Sequence, residues 1–182
     1  MPTQSKSGNE DQVAANLIYH GYVLEGLAVM KAIRDRYDGR KRDPYNQLEC
    51  GGYYARSLAN YSLLLALSGY RVDAPAGRLE FAPKLTPENF QCFFAGGEGW
   101  GSYSQQQDGS AFTANLEIKW GKCRLRTLAL ALPAACPGAS VKVTTAGQPV
   151  DCVAQRLGSQ LSVSLIREVV VSAGQSLTVV VR

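Results

Sequence analysis

Asn60-Tyr61-Ser62-Leu63-Leu64-Leu65-Ala66-Leu67-Ser68-Gly69 divides the chain into two halves of different character. The stretch contains no proline, and its apolar residues lie almost all round a helix. A surface helix carries one apolar stripe, so a helix that is apolar on every side needs neighbours on every side. Gly69 supplies the ending, because helices commonly stop at a glycine in the left-handed conformation. Beyond it the helical period disappears.

Upstream, the same helix extends back to about residue 49, behind a polar loop at residues 40–47. Asp43-Pro44 keeps that loop extended, since the residue before a proline is pushed out of the helical region. An earlier helix is expected over residues 12–37, closed by Gly39. Val13, Leu17, Leu24 and Leu27 fall on one of its faces, and Ile18, Tyr22, Val29 and Ile33 on roughly the opposite one. Two antiparallel helices cannot cover each other on all sides. Both are therefore expected inside a larger helical assembly or against the rest of the chain. Residues 1–11 are polar and read as a disordered lead-in.

Downstream, residues 70–112 are rich in glycine, proline and aromatics and read as an irregular linker layer. Residues 113–182 then alternate: Leu116, Ile118, Trp120; Leu128, Leu130, Leu132; Val141, Val143; Leu161, Val163, Leu165; Leu177, Val179, Val181. Turn signals at Gly121-Lys122, Pro137-Gly138, Gly147-Gln148-Pro149 and Ala173-Gly174 separate these runs. Short alternating strands with turns at this rhythm predict a small antiparallel sheet or sandwich. The expected class is α+β, with helices first and strands after.

Composition narrows the function. Of 182 residues, 46% are hydrophobic and 19% charged, which argues against wholesale disorder. The net charge of +4 is mild, and the one dense basic run, residues 34–42, is interrupted by Asp35 and Asp38 and followed by Asp43. A nucleic-acid partner would be expected to need a basic face. The five cysteines, Cys50, Cys92, Cys123, Cys136 and Cys152, include no CxxC pair and read as small buried or half-buried thiols. His20 is the single histidine, which argues against a zinc site or a Ser–His–Asp triad; no metal or cofactor is expected. No apolar run approaches the length of a membrane span, and a soluble chain is the expectation, with its localisation open and the cytoplasm slightly favoured over secretion.

Several ordered blocks carry a resemblance. Ile33-Arg34-Asp35-Arg36-Tyr37-Asp38-Gly39 is followed by Arg42-Asp43-Pro44-Tyr45-Asn46-Gln47-Leu48-Glu49-Cys50-Gly51 and then by Tyr54-Ala55-Arg56-Ser57. Together with Leu63-Leu64-Leu65-Ala66-Leu67-Ser68-Gly69, these resemble the end of the catalytic domain of glycoside hydrolase family 116. That family contains the non-lysosomal glucosylceramidases, or bile-acid β-glucosidases, and their prokaryotic relatives. The resemblance covers residues 12–70 closely and the segment through Gly99-Trp100-Gly101 more loosely. It implies that residues 12–69 are the last helices of an (α/α)6 barrel. It also implies a retaining β-glycosidase, with a carboxylate nucleophile and a second carboxyl as acid/base. Neither of those two residues has a match here. Asp35 with Asp38, and Asp43 with Glu49, read as solvated loop and helix-end charges.

The resemblance implies two sugar contacts. The family's sugar-binding arginine is matched by Arg56, whose fork of donors suits sugar oxygens or a salt bridge to Glu49. Gln47 stands where the family has a sugar-binding glutamate, which removes a charge-assisted bond. Gly52, Tyr53 and Asp43 also depart from the family pattern, pointing to a divergent subgroup with another sugar or a relaxed site. Gly96-Gly97-Glu98-Gly99-Trp100-Gly101 lacks the strand and helix signals of a phosphate-binding loop. Within it, burial of Trp100 under a loop is the leading expectation, and stacking on a sugar face is the alternative.

The sequence thus reads as the C-terminal portion of a retaining β-glycosidase acting on a β-linked glucoside or related glycoside. It is expected to be inactive alone and to pair with an N-terminal catalytic part. The alternative is a free-standing carbohydrate-binding or assembly subunit that pairs with a separate catalytic chain.

Overall fold

The computed structural model describes residues 7–43, 57–136 and 140–182. The chain divides into two units, Met1–Gly69 and Tyr70–Arg182.

In the first unit, α1 (Ser7–Tyr19) and α2 (Val23–Arg36) are joined by a tight turn through His20 and Gly21, and a single-turn 3-10 segment (Ser57–Asn60) leads into α3 (Tyr61–Ser68). The helical pattern expected to run unbroken through residues 12–37 is therefore two helices. The first begins at Ser7, inside the stretch read as a lead-in. Ala14, Ala15, Ile18, Leu63 and Ala66 form the buried centre, with Val29, Met30 and Leu67 packed against it. Small side chains at positions 14, 15 and 66 let the helices approach closely. Arg36 of α2 pairs with Glu10 of α1.

The (α/α)6 barrel expected from the resemblance is overturned. Among the described residues there are three α-helices, and most of the remaining described chain is one mixed ten-stranded sheet. The apolar residues that pointed to a sandwiched helix do not find cover here: Val13, Tyr22, Leu24, Leu64 and Leu65 are exposed.

The second unit holds β1 (Arg71–Asp73), β2 (Arg78–Phe81), β3 (Asn89–Ala95), β4 (Gly99–Asp108), β5 (Ala111–Ala131), β6 (Val141–Thr145), β7 (Gln148–Val150), β8 (Cys152–Leu157), β9 (Gln160–Ser172) and β10 (Ser176–Val181). The long strand β5 belongs to two halves of the sheet. Its first part carries the order β3-β4-β5-β10-β6-β7, and its second part the order β1-β2-β5-β9-β8. All pairings are antiparallel except β2 with β5, so the small antiparallel sheet expected from the sequence is corrected to a larger mixed one. The irregular layer expected at residues 70–112 is also corrected, since it contains β1 to β4 and the start of β5.

Both halves feed one core. Leu116, Ile118, Leu177 and Val179 from the first half join Leu128, Leu130, Leu161 and Val163 from the second. At its centre the Phe81 and Tyr103 rings stack at 3.8 Å, with Tyr70 and Phe94 around them. Aromatic burial of this kind is a large share of a small domain's stability. The buried Tyr103 hydroxyl donates to Gln105 Oε1 at 2.7 Å, and Gln105 Nε2 donates to the Pro87 carbonyl. This pairs the polar tips that burial would otherwise strand.

Candidate functional site

Gly96 to Gly99 form the tip of the β3–β4 hairpin, with the Gly96 N–H donating to the Gly99 carbonyl at 2.8 Å. Strands flank this turn on both sides. The glycines that follow have a different task. A Cβ on Gly101 would lie 1.9 Å from the Glu117 carbonyl oxygen, and one on Gly121 would lie 2.2 Å from the Glu98 carbonyl oxygen. Gly121 moreover holds φ +71°, a conformation that side chains disfavour. Here β4 and β5 are pressed together, and only glycine fits.

The same place carries a β-bulge. Trp100 pairs with Trp120 and Gly101 pairs with Ile118, so Lys119 has no partner across the ladder. A bulge adds one residue and resets which face the following side chains take. Ile118 therefore remains in the core while Trp120 joins Trp100 on the outer face. The turn expected at Gly121-Lys122 does not occur, and β5 continues straight through it.

The expectation that Trp100 is buried is corrected: it is 43% exposed. Trp120 is 63% exposed and Phe93 62% exposed. The Phe93 and Trp100 ring centroids are 5.9 Å apart at an interplanar angle of 43°. Phe93, Trp100 and Trp120 thus form an aromatic strip crossing β3, β4 and β5. A shallow open depression beside it is lined by Gln91, Phe93, Trp100, Ser102 and Lys119. Sequence reasoning missed Trp120, placing it in the core with Leu116 and Ile118, because nothing in a period-2 pattern marks a bulge. It did not single out Phe93 at all. Arg56 and Gln47, the sugar contacts implied by the resemblance, lie outside the described residues.

Two carboxylates neighbour the strip. Glu117 accepts from Lys119 Nζ at 2.5 Å and from Ser102 Oγ at 3.4 Å, and the Lys119 hydrogen bond holds its carboxyl below the usual range. For Glu98, desolvation pushes upward, but the hydrogen bonds and charges of Lys122 and Arg124 prevail and its carboxyl also sits low. Both are therefore ionised at neutral pH. A glycosidase general acid needs the opposite, a carboxyl raised so that it keeps its proton. Glu98 also begins an exposed ladder of ion pairs, Lys122–Glu98–Arg124–Glu168–Arg126. Exposed pairs of this type stabilise little. They border a cavity of about 100 Å³ between the hairpin tip and β1–β2, smaller than the roughly 300 Å³ at which small-molecule pockets begin.

Among the described residues no cluster of His, Cys, Asp and Glu could hold a metal ion, and no helix is long and apolar enough to cross a membrane. His20 is exposed just after α1.

No protein-family model and no curated protein matches the chain. Among solved structures it is similar to a GH127 β-L-arabinofuranosidase from Geobacillus stearothermophilus T6, at 15% identity and a TM-score of 0.40, over 81% of this chain and 22% of that one. It is similar to an α-L-rhamnosidase from Dictyoglumus thermophilum at 11% identity and a TM-score of 0.37, over 70% of this chain and 14% of that one. A third, described as a glycoside hydrolase, gives 14% identity and a TM-score of 0.38 over 76% of this chain and 22% of that one. The chain spans less than a quarter of each. None of the three is described as a family 116 member.

Proposed function

We propose that the chain is a sugar-contacting, non-catalytic portion of a retaining β-glycosidase acting on β-linked glucosides or related glycosides. The observation that supports this reading is the exposed strip Phe93, Trp100 and Trp120, set on a sheet face among hydrogen-bonding side chains. An indole presents a flat apolar surface to the C–H face of a pyranose ring, while neighbouring amides and hydroxyls bond its hydroxyls. Glu98 and Glu117, both held ionised, serve here as acceptors and ion-pair partners rather than as proton donors. The resemblance to family 116 assigns further sugar contacts to Arg56 and Gln47. The nucleophile and acid/base belong to a catalytic part outside these residues. The strip also fits a free-standing carbohydrate-binding subunit working with a separate catalytic chain, because the platform is contained within one unit.

Trp100 and Trp120 are the two tryptophans of the chain, so fluorescence excited beyond the tyrosine absorption band reports on the strip. Titration with cellobiose is expected to shift or quench that emission saturably, while the same preparation releases no product from an aryl β-glucoside. Emission that ignores the sugar, or turnover of the aryl glucoside, would overturn the reading.

A further inference from the structure

The aromatic strip is one end of a longer feature. Two residue pairs further along the strands from Phe93 and Ser102, and so on the same face, the ladder aligns Gln91 of β3, Ser104 of β4, Asn115 of β5, Thr178 of β10 and Thr144 of β6 in a single row. All five stand on the outer face. Their neighbours Tyr103, Ala114, Leu116, Leu177, Val179 and Val143 point into the core. Five strands side by side carry the row over four strand spacings, roughly 19 Å. That spacing is close to the repeat of one pyranose ring in an extended chain, so each strand can meet one sugar.

The chemistry of the row is uniform. It consists of hydroxyls and primary amides and contains no charge. The Thr178 hydroxyl donates to Asn115 Oδ1 at 3.0 Å, which leaves the two amide N–H donors of Asn115 for another partner. Hydrogen bonds among the described residues leave the side chains of Gln91, Ser104 and Thr144 unoccupied. The charges beside the row are Glu117 and Lys119, which pair at 2.5 Å, and the exposed Lys142, two residues from Thr144 on the same strand. One lysine at the end of the row is far from the basic face that a nucleic acid requires. It complements a ligand that is uncharged and rich in hydroxyls.

We infer that this face binds a linear, uncharged β-linked polysaccharide laid across the strands, anchored on Phe93, Trp100 and Trp120 and continued over the row that ends at Thr144. The inference rests on the reading of the aromatic strip as sugar-facing and adds the length and direction of the ligand. Affinity then rises with chain length, because a disaccharide covers the aromatic anchor and a longer chain also meets Asn115, Thr178 and Thr144.

The test is a fluorescence titration of the whole chain with cellobiose and with cellohexaose, repeated on the outer-face variant Asn115→Leu/Thr178→Val. The wild type is expected to bind cellohexaose about tenfold more tightly than cellobiose, since each added neutral hydrogen bond contributes up to about tenfold. The variant is expected to lose that gain while keeping its affinity for cellobiose and its thermal midpoint. Equal affinity of the wild type for the two sugars overturns the extended site but leaves the aromatic anchor standing. A response to neither sugar overturns both. If the chain instead self-associates, and Trp120→Ser makes it monomeric in light scattering, the strip is a protein interface and the inference fails.

Discussion

Cys92 and Cys123 are half-buried thiols without disulfide partners, packed at the margin of the β core. Burial pushes the Cys92 thiol up to about 12 and the Cys123 thiol up to about 11. Folding therefore favours the neutral thiol over the thiolate. A group whose acid form the fold prefers contributes fully below its unfolded value, near 9, and the contribution is lost as pH rises through the folded one. The thermal midpoint of the β unit is expected to hold steady to about pH 8.5 and to fall above it, with a smaller fall in Cys92→Ala. A midpoint that is flat to about pH 11 would contradict this assignment. Both thiols are expected to resist alkylation at neutral pH, because the thiolate is the nucleophile. Cysteine as a small hydrophobe was legible in the sequence from the missing CxxC spacing. The identity of the aromatic anchors was not. Trp100 stood out beside its glycines, but its exposure depends on which face of β4 it takes, and that is fixed by pairing with β5.

At the scale of elements, what the sequence displayed was face, and what it concealed was pairing. Leu128, Leu130, Leu161, Val163, Leu177 and Val179 alternate in the sequence and are buried in the core. The alternation failed at Trp120, where the bulge at Lys119 shifts the phase. Gly121-Lys122 has the composition of a turn. Its glycine answers instead to the Glu98 carbonyl pressing on it, a contact between residues far apart in sequence. β1 to β4 were hidden for a related reason, since glycines and prolines needed for close approach and tight hairpins look like linker composition. The helices erred the other way. Leu24, Leu64 and Leu65 suggested burial on all sides, and they are exposed. The crossing of β4 over β5 yields a direct prediction. Gly101→Ala places a methyl against backbone that cannot turn aside, and it is expected to cost about 1–3 kcal/mol of unfolding stability in urea. Gly97→Ala meets nothing within 4 Å and is expected to be neutral. Equal midpoints for the two variants would show that the bulge is not held by this contact.

For the molecule as a whole, the two units differ in what they can bury. The β unit encloses an aromatic and aliphatic core fed by both halves of its sheet, whereas the buried centre of the helical unit is mainly alanine with Ile18 and Leu63. The outer face of the β unit pairs large exposed aromatics with a neutral polar comb, and exposed aromatic surface of that kind marks a binding site more often than an accident of composition. Sugar binding by the β unit stands or falls with Phe93, Trp100 and Trp120. A calorimetric titration of cello-oligosaccharide into the wild-type chain and into Trp100→Ala decides it. Loss of one stacking ring of this size is expected to weaken binding by about 1 kcal/mol or more, at least about fivefold, with the thermal midpoint unchanged. Heat of binding that is the same for both proteins, or absent from the wild type, would contradict the claim.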